Sequence, residues 1–345
     1  MVSAGGRAPA QTLWVGTYPA DGGAPGSGEG IWRVTLDPRT GALSDALQVA
    51  VTPAPSFLAW GPRGLLYATN EDVAGGLSVW RPTSGSLELV GKASAGGAGP
   101  CHVWVDEAAG TALVANYSAG SLAAVRLDAD GLPAAGAPDQ VFAFEGSGPH
   151  PGRQARPHSH FVLPAGDHVL VTDLGADVVR RFGRDSDGRL VEDGIAVRLP
   201  AGAGPRHAAF SADGAWLYVV GELDGLLHAI AWDAPSASGR VVASSRVDPA
   251  ASEGAKPAHL VLAGDTLTVG VRGTDSIVSH RVGADGLPVF AGRVALPGSL
   301  PRHHAVVGGW LVVAQQRRGG VVAMTPDGVV TGVAGIGSAA CILPA

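Results

Sequence analysis

Short apolar runs, many with polar residues at alternate positions, recur from one end of the chain to the other. Examples are "TALVAN", "HVLVTD" and "WLYVVG", which begin at Thr111, His168 and Trp216. Such runs, rich in Val and bounded by Gly, Pro or charged turns, are typical of short β-strands. No segment of useful length has apolar residues at the spacing of a helix. The pattern therefore predicts an all-β protein.

The predicted strands fall into repeated units that open with a proline. Asp-Gly pairs between apolar runs, as at Asp130-Gly131, mark hairpin turns in several of these units. Four short strands per unit, at a spacing of 44 to 57 residues, predict the blades of a β-propeller. Six such units are found, and they begin at Pro55, Pro100, Pro157, Pro205, Pro257 and Pro301.

A seventh unit is predicted from both ends of the chain. "GSAACILPA" would supply its inner strand, and "QTLWVGTY" with "GIWRVTLDPRTGALS" would supply the others. Pairing these segments leaves no open sheet edge. We therefore predict a single seven-bladed β-propeller domain over residues 1–345, built of four-stranded antiparallel blades, with residues 1–10 disordered. A pair of β-sandwiches is the alternative, and it fits the regular spacing less well.

Composition and charge narrow the classes of partner. The formal net charge is −6 and Lys and Arg form no runs, which disfavours a nucleic-acid surface. The N-terminus lacks the apolar segment of a signal peptide, and no apolar run is long enough to span a bilayer. We therefore expect a cytoplasmic monomer that binds neither nucleic acid nor membrane. Cys101 and Cys341 are expected to be reduced, buried thiols rather than a disulfide.

Histidines stand near the start of the first strand in five units. In a propeller these strand starts converge on one end of the central channel, so five imidazoles are expected to ring one mouth. For any one histidine taken alone, a bond to a neighbouring turn is the more economical interpretation. A metal site is less favoured, because no Cys or carboxylate has matching spacing. The five are His102, His160, His207, His259 and His303.

Charged and amide side chains accompany these histidines. Arg206 and Arg302 directly precede two of them, while Glu222 and Arg272 follow the second strands of their units. A mouth lined by His, Arg and Glu can bind an anion and transfer protons. No serine or cysteine nucleophile with a dedicated base is recognisable, so general acid–base chemistry is expected. Comparable positions at the ends of second strands are held by Asn116, Asp173 and Gln316.

Taken together, these segments resemble the seven-bladed propeller lactonases, which include the propeller type of 6-phosphogluconolactonase and the fungal carboxy-cis,cis-muconate cyclases. The resemblance covers nearly the whole chain and is most specific in "GSGPHPGRQARPHSHFV", "GPRHAAFSADGAWLYVVGELDG" and "RGTDSIVSHRV". It implies that the catalytic residues are His160, Arg206, Glu222 and Arg272. The substrate-binding residues are then expected to be His158, His102, Asn116, Asp173, His207, His259, His303 and Gln316. Asparagines of the family pattern are replaced here by Gly221, Val271 and Gln315.

The resemblance implies a hydrolase for a sugar-derived anionic lactone, close to 6-phosphogluconolactonase and the pentose phosphate pathway, with no cofactor and no metal. His160 would activate water, with Glu222 orienting it or serving as the base. Arg206 and Arg272 would bind the anion and the developing oxyanion. A carboxymuconate cycloisomerase and a non-catalytic binding propeller remain alternatives. The insert from Gly136 to Ala155 is expected to lie over the mouth and to influence substrate choice.

Overall fold

The computed structural model describes residues 9–18, 30–251 and 254–345. Within these ranges the strands form seven four-stranded antiparallel sheets, and the helical structure is a single 3-10 turn at Pro62–Gly64. The predicted seven-bladed propeller is thereby confirmed. Of the segment expected to be disordered, residues 1–8 lie outside the described residues.

The first blades are built from both ends of the chain and from the segments that follow the N-terminus. Blade 1 contains β1 (Gln11–Thr17), β2 (Ile31–Leu36), β3 (Leu43–Ala50) and β28 (Ala339–Pro344). Blade 2 contains β4 (Leu58–Trp60), β5 (Leu66–Asn70), β6 (Gly76–Pro82) and β7 (Leu87–Ser94). Blade 3 contains β8 (Pro100–Asp106), β9 (Thr111–Asn116), β10 (Ser121–Arg126) and β11 (Gln140–Ala143).

The remaining blades each use four consecutive strands. Blade 4 contains β12 (Ser159–Ala165), β13 (His168–Asp173), β14 (Val178–Arg184) and β15 (Leu190–Arg198). Blade 5 contains β16 (Pro205–Phe210), β17 (Trp216–Gly221), β18 (Leu226–Asp233) and β19 (Ser238–Arg246). Blade 6 contains β20 (Lys256–Ala263), β21 (Thr266–Arg272), β22 (Ser276–Val282) and β23 (Pro288–Ala295). Blade 7 contains β24 (Ser299–Val307), β25 (Trp310–Arg317), β26 (Val321–Met324) and β27 (Val330–Ala334).

The core lies between blades rather than in one central mass. Each pair of neighbouring blades shares an apolar cluster, as where Leu113 of blade 3 and Phe182 of blade 4 are both fully buried in one of them. Alternating residues of each strand supply these contacts, because successive side chains point to opposite faces of a sheet. The innermost strands of adjacent blades also contact one another around the whole ring. The ring therefore holds the starts of these strands together at one end of the channel.

The closure predicted from the two ends of the chain is confirmed. Strand β28 pairs antiparallel with β1, and Trp14 lies opposite Leu343 in this ladder. Gly16 permits the close approach of blade 2, since a Cβ at this position would lie 2.1 Å from the carbonyl oxygen of Pro55. Cys101 and Cys341 are free, buried thiols, as expected. No helix in the described part of the chain has the length and apolarity needed to cross a membrane.

Candidate active site

A β-bulge recurs near the start of six of the seven innermost strands. In blade 4 the register shifts between Ser159 and Phe161, so His160 is the extra residue. In blade 5 the shift lies between Pro205 and Ala208, where Arg206 follows the proline. Bulges re-aim side chains at the rims of barrels and beside active sites. Here they place one residue from each of five of these strands at a small cavity of about 20 Å³ at the mouth. This cavity is lined by Tyr18, Ser56, Phe57, Cys101, His160, Arg206, His207, Arg302, His303 and Ala340.

The ladder corrects the expectation that five histidines are equivalent. His102 lies opposite Ala115, the residue before the last of β9. In blade 4 the residue opposite the corresponding Thr172 is Phe161, not His160. His160 therefore belongs with Arg206, one residue nearer the strand start, and its expected equivalence with His102 is wrong. The cause is the spacing from the proline, which is three residues for His160 and two for the others.

The other four histidines form a ring with two phenylalanines instead. Successive ring centroids are 3.8 to 5.8 Å apart all the way round, and His207 Nδ1 lies 2.8 Å from His259 Nδ1. We call this set the aromatic ring. It separates the small cavity from a wider apolar channel of about 620 Å³, since Phe57 and His303 line both spaces. The members of the aromatic ring are Phe57, His102, Phe161, His207, His259 and His303.

The residues predicted to lie at the mouth from the ends of the second strands also differ by one position along the chain. Asn116 is fully buried, and its amide donates to the Ala95 carbonyl at 2.8 Å. Asp173 is also fully buried, and it accepts from the His158 backbone at 2.8 Å and from Arg180. The hydrogen bonds of both side chains are made to groups near the ends of the blades, so the structure does not bring these side chains into the mouth. The next residue along the chain takes that place in each blade.

In each blade this outward position is held by the residue one step beyond the place that Asn116 and Asp173 occupy in theirs. Glu222 follows Gly221, the partner of Pro205, and Arg272 follows Val271, the partner of Pro257. A Cβ at Gly221 would lie 2.8 Å from the backbone oxygen of Ala203 and 2.1 Å from Asp224 Oδ1, so the family's asparagine would not fit without a shift of the backbone. We call the residues at this outward position, together with the residues that the bulges place at the small cavity, the mouth tier. The second-strand members are Tyr18, Glu71, Tyr117, Leu174, Glu222, Arg272 and Gln316.

Glu222 is the centre of a buried ionic cluster. Its Oε2 accepts from Arg206 Nε at 3.0 Å and from Arg272 at 2.7 Å. Its Oε1 accepts from Arg153 at 2.5 Å. Glu222 and Arg206 are each 4% exposed. One carboxylate thus faces three guanidinium groups, so the cluster has a net positive charge that favours an anionic ligand.

Arg153 was not selected from the sequence. It lies in the insert from Gly136 to Ala155, and its guanidinium also donates to the Tyr117 hydroxyl at 3.1 Å. The end of this insert therefore reaches the mouth, as predicted. The signal was available, since Arg153 stands inside the segment "PHPGRQARPHSH" that carries the family resemblance.

His160 lies beside this cluster and is 6% exposed. Its ring contacts Tyr117 edge-on with centroids 5.6 Å apart, and its buried Nδ1 has no hydrogen-bond partner among the described residues. Burial and the charge of Arg206 hold the pKa of His160 well below its ordinary value, so the imidazole is neutral at pH 7. His158 stacks on Tyr117 at 4.4 Å, and its Nδ1 donates to the Tyr117 carbonyl at 2.9 Å. His160 therefore presents a neutral imidazole, with an unpaired Nδ1, at this wall of the mouth.

The opposite wall carries Arg302 and Gln316. Gln316 Oε1 accepts from Arg302 Nε at 2.6 Å, and the guanidinium lies 4.8 Å from the centre of the Tyr18 ring. Gln316 is therefore in the mouth tier, as predicted for a substrate-binding residue. Arg302 places a further positive charge on the side of the mouth away from Glu222.

The charges of the cluster persist at neutral pH. Although burial opposes ionisation, Arg272 and Arg206 hold the pKa of Glu222 well below its ordinary value. Burial and the neighbouring Arg272 lower the pKa of Arg206 to about 10, which leaves it protonated at pH 7. Among the described residues, no group of three or more His, Cys, Asp and Glu side chains is arranged to hold a metal ion.

Comparison with known proteins agrees with this geometry. The family model described as "Lactonase, 7-bladed beta-propeller" matches residues 12–332. The chain belongs to this family. A 6-phosphogluconolactonase of Bacillus subtilis is 31% identical to this lactonase-family chain over 326 residues, which are 91% of the chain and 90% of the relative. The match spans all seven blades, so membership makes the chain an enzyme of the lactonase class.

Solved structures of relatives have the same architecture as this lactonase-family chain. The periplasmic gluconolactonase PpgL of Pseudomonas aeruginosa superposes with a TM-score of 0.87 at 29% identity, covering 97% of this chain and 99% of that one. A putative 6-phosphogluconolactonase of Bacteroides fragilis superposes with a TM-score of 0.83 at 25% identity, covering 97% and 98%. The similarity therefore extends over whole chains rather than over a few blades.

Proposed function

We propose that the chain hydrolyses a sugar-derived lactone that carries a negative charge, most closely resembling 6-phosphoglucono-δ-lactone. The observation that supports this most strongly is the buried Glu222 carboxylate shared by Arg153, Arg206 and Arg272 directly beside His160. Guanidinium groups bind carboxylate and phosphate oxygens in pairs, and they keep their charge when buried. The name of the Bacillus relative supports the same class of substrate.

His160 is the group that we assign to water activation. Both carboxylate oxygens of Glu222 are already bonded to arginine guanidinium groups, whereas His160 Nδ1 has no partner among the described residues. The role of Glu222 in the proposal is to hold Arg206 and Arg272 in place. Neutral His160 takes a proton from water as the oxygen attacks the lactone carbonyl, and an arginine of the cluster stabilises the oxyanion. His158, on the same side of Tyr117, is a neighbour that contacts the substrate.

The aromatic ring has a different place in the proposal. His102, His207, His259 and His303 form the floor beneath the substrate, rather than a set of acid–base groups. Burial lowers the pKa of His102 and of His303 to about 3, so both are neutral at pH 7. A neutral floor closes the channel to bulk water without adding charge. Asn116 and Asp173 act in the proposal only by fixing the blade ends.

The test is the rate of 6-phosphoglucono-δ-lactone opening with purified protein, measured against the spontaneous rate. We expect His160→Ala to lose about 10²–10⁴-fold in kcat, the usual contribution of a positioned acid–base group. His168→Ala, which removes a partly exposed histidine on β13, is the matched control and should keep full activity. Full activity in His160→Ala would overturn the assignment. Without acceleration by the wild type, the proposed substrate is wrong and carboxymuconate cyclisation becomes the leading candidate.

The cellular setting stays a prediction. A cytoplasmic location and a place in the pentose phosphate pathway would follow from a 6-phosphogluconolactonase activity. One structural relative is named as a periplasmic gluconolactonase, so the family also includes enzymes from another compartment. A monomer is likewise what we expect, and sedimentation of the purified chain tests it.

A further inference from the structure

A second glutamate occupies the mouth tier in blade 2. Glu71 follows β5, in the position that Glu222 holds after β17. Its Oε2 accepts from Ser56 Oγ at 2.5 Å, and the Tyr18 hydroxyl also bonds to its carboxyl group. Ser56 is 4% exposed and lines the small cavity, and the partly exposed Glu71 is bonded directly to it.

The two glutamates are held by different chemistry. Glu222 faces three guanidinium groups at 2.5 to 3.0 Å, whereas Glu71 is bonded by two neutral hydroxyl groups. The ionisable groups that act on Glu71 from the strands around it are Tyr18, Cys101, Arg206 and Arg302. The arginines favour the carboxylate, yet burial outweighs them and raises the pKa of Glu71. The two environments thus push the pKa values of the carboxyl groups apart, and of the two only that of Glu71 favours the protonated form.

The position of Glu71 complements that of His160. Blade 2 lies three blades away from blade 5 in a ring of seven, so Glu71 and Glu222 stand on opposite walls. Ser56, which holds Glu71, lines the same small cavity as His160 and Arg206. A lactone ring placed over this cavity therefore meets the neutral imidazole of blade 4 and, two blades away, Ser56 with the Glu71 carboxyl bonded to it.

We propose that Glu71 is a catalytic acid that donates a proton to the ring oxygen of the lactone as the bond between this oxygen and the carbonyl carbon breaks. This inference rests on the proposed function, because it assigns the second proton transfer of that reaction. Among the second-strand members of the mouth tier, the carboxylic acids are Glu71 and Glu222. The arginines keep Glu222 ionised. Glu71 is thus the carboxyl group at the mouth that can carry a proton.

The proton balance of the reaction requires such a group. Water forms a bond to the carbonyl carbon while His160 takes one of its protons, which gives a tetrahedral oxyanion. The carbon–ring oxygen bond then breaks, and the oxygen takes the proton of Glu71 to become a hydroxyl group. The product is an open-chain hydroxy acid, and the overall change is the addition of one water. His160 afterwards loses its proton to solvent and Glu71 regains one.

The experiment compares Glu71→Gln with the wild type in the opening of 6-phosphoglucono-δ-lactone. We expect kcat to fall about 10²–10⁴-fold while KM changes by less than about three-fold, because the amide keeps the hydrogen bonds but cannot donate an acidic proton. The matched control is Glu88→Gln on β7 of the same blade, where the exposed carboxylate pairs with Arg81, and it should keep full activity. Full activity in Glu71→Gln, with an active wild type, overturns the acid role and leaves the proposed function standing. An inactive wild type overturns the proposed function, and the acid role falls with it.

A measurement independent of turnover guards against a variant that folds poorly. In wild-type protein labelled with ¹³C at the glutamate carboxyl carbons, one resonance should titrate above the ordinary glutamate range and be missing in Glu71→Gln. The resonance assigned through Glu222→Gln should stay that of a carboxylate over the same pH range. If every glutamate carboxyl is ionised by pH 5, Glu71 has no proton to donate and the proposal is wrong.

Discussion

Asp173 and Glu222 lie on neighbouring blades, and both are buried carboxylates bonded to arginine. Their roles in the structure nevertheless differ. Asp173 is the last residue of β13 and holds Arg180 of its own blade together with two backbone amides. Glu222 comes one residue after the end of β17 and binds arginines from blade 5, blade 6 and the insert. Side chains alternate between the two sides of a strand. One step along the chain therefore decides whether a carboxylate fixes a blade end or organises the mouth.

The largest expected effect comes from neutralising each carboxylate in turn. Asp173→Asn and Glu222→Gln each remove the buried carboxylate partner of an arginine, which typically costs about 3–5 kcal/mol of the free energy of unfolding. Only Glu222→Gln should also reduce kcat for lactone opening, by about 10²-fold or more, because Arg206 and Arg272 lose their common anchor. Urea unfolding and steady-state kinetics on the same preparations measure the two quantities.

Two outcomes with these paired variants would contradict the difference in role between Asp173 and Glu222. If Asp173→Asn loses as much kcat as Glu222→Gln while staying folded, the blade end is part of the site and the one-residue distinction fails. If neither variant loses stability, the two carboxylates are not the anchors that their contacts indicate. Glu192→Gln, which neutralises the half-exposed second partner of Arg180, is a reference for the effect of losing one outer charge.

A second large effect is expected from acid, through the histidines of the aromatic ring and His304 beside it. Burial lowers the pKa to about 3 for His102 and His303 and to about 4 for His304. Below the ordinary value near 6.5, the unfolded chain takes up protons that the folded chain does not. The free energy of unfolding therefore falls as pH drops from about 6.5, by about 1.4 kcal/mol per pH unit for each such histidine.

This pH effect can be assigned to single residues. His303→Phe should fit the ring, because Phe57 and Phe161 already occupy equivalent places in it. The slope of unfolding free energy against pH, between pH 6 and 5, should then be smaller by about one proton. A slope that does not change in this variant would mean that His303 is protonated in the folded chain, and that the aromatic ring carries charge.

The smallest expected effect concerns Tyr117, which joins the insert to the mouth. Tyr117→Phe removes the hydroxyl that accepts from Arg153 and leaves the ring that stacks on His158. The loss of one hydrogen bond, about 0.5–1 kcal/mol, should raise KM for the anionic lactone by about two- to five-fold with little change in kcat. A fall in kcat with constant KM would place Tyr117 in the chemical step instead of in anion binding.

The sequence predicted the repeat because each unit has the same local pattern, and it predicted the closure of blade 1 because both ends of the chain supply strands that the six units do not use. His160, Arg206, Glu222 and Arg272 were identified from motifs, and the structure brings all four together. The register of the histidines was wrong because His160 stands three residues after its proline and the other four stand two, and the strand ladders show that this difference is one position along the strand. Glu71 escaped selection because its significance comes from Ser56 and Tyr18, which are brought to it by the ring.

The pairing of β28 with β1 has a consequence for folding during translation. Strand β28 is translated after every other strand of the ring, so blade 1 stays without its innermost strand while the ribosome makes the other six blades. During that time the edge of β1 is exposed, and a chaperone or a misplaced strand could pair with it. Ala340, which lines the mouth, arrives on the same strand. The lining of the mouth and the ring of blades are therefore completed in the same step, when β28 pairs with β1.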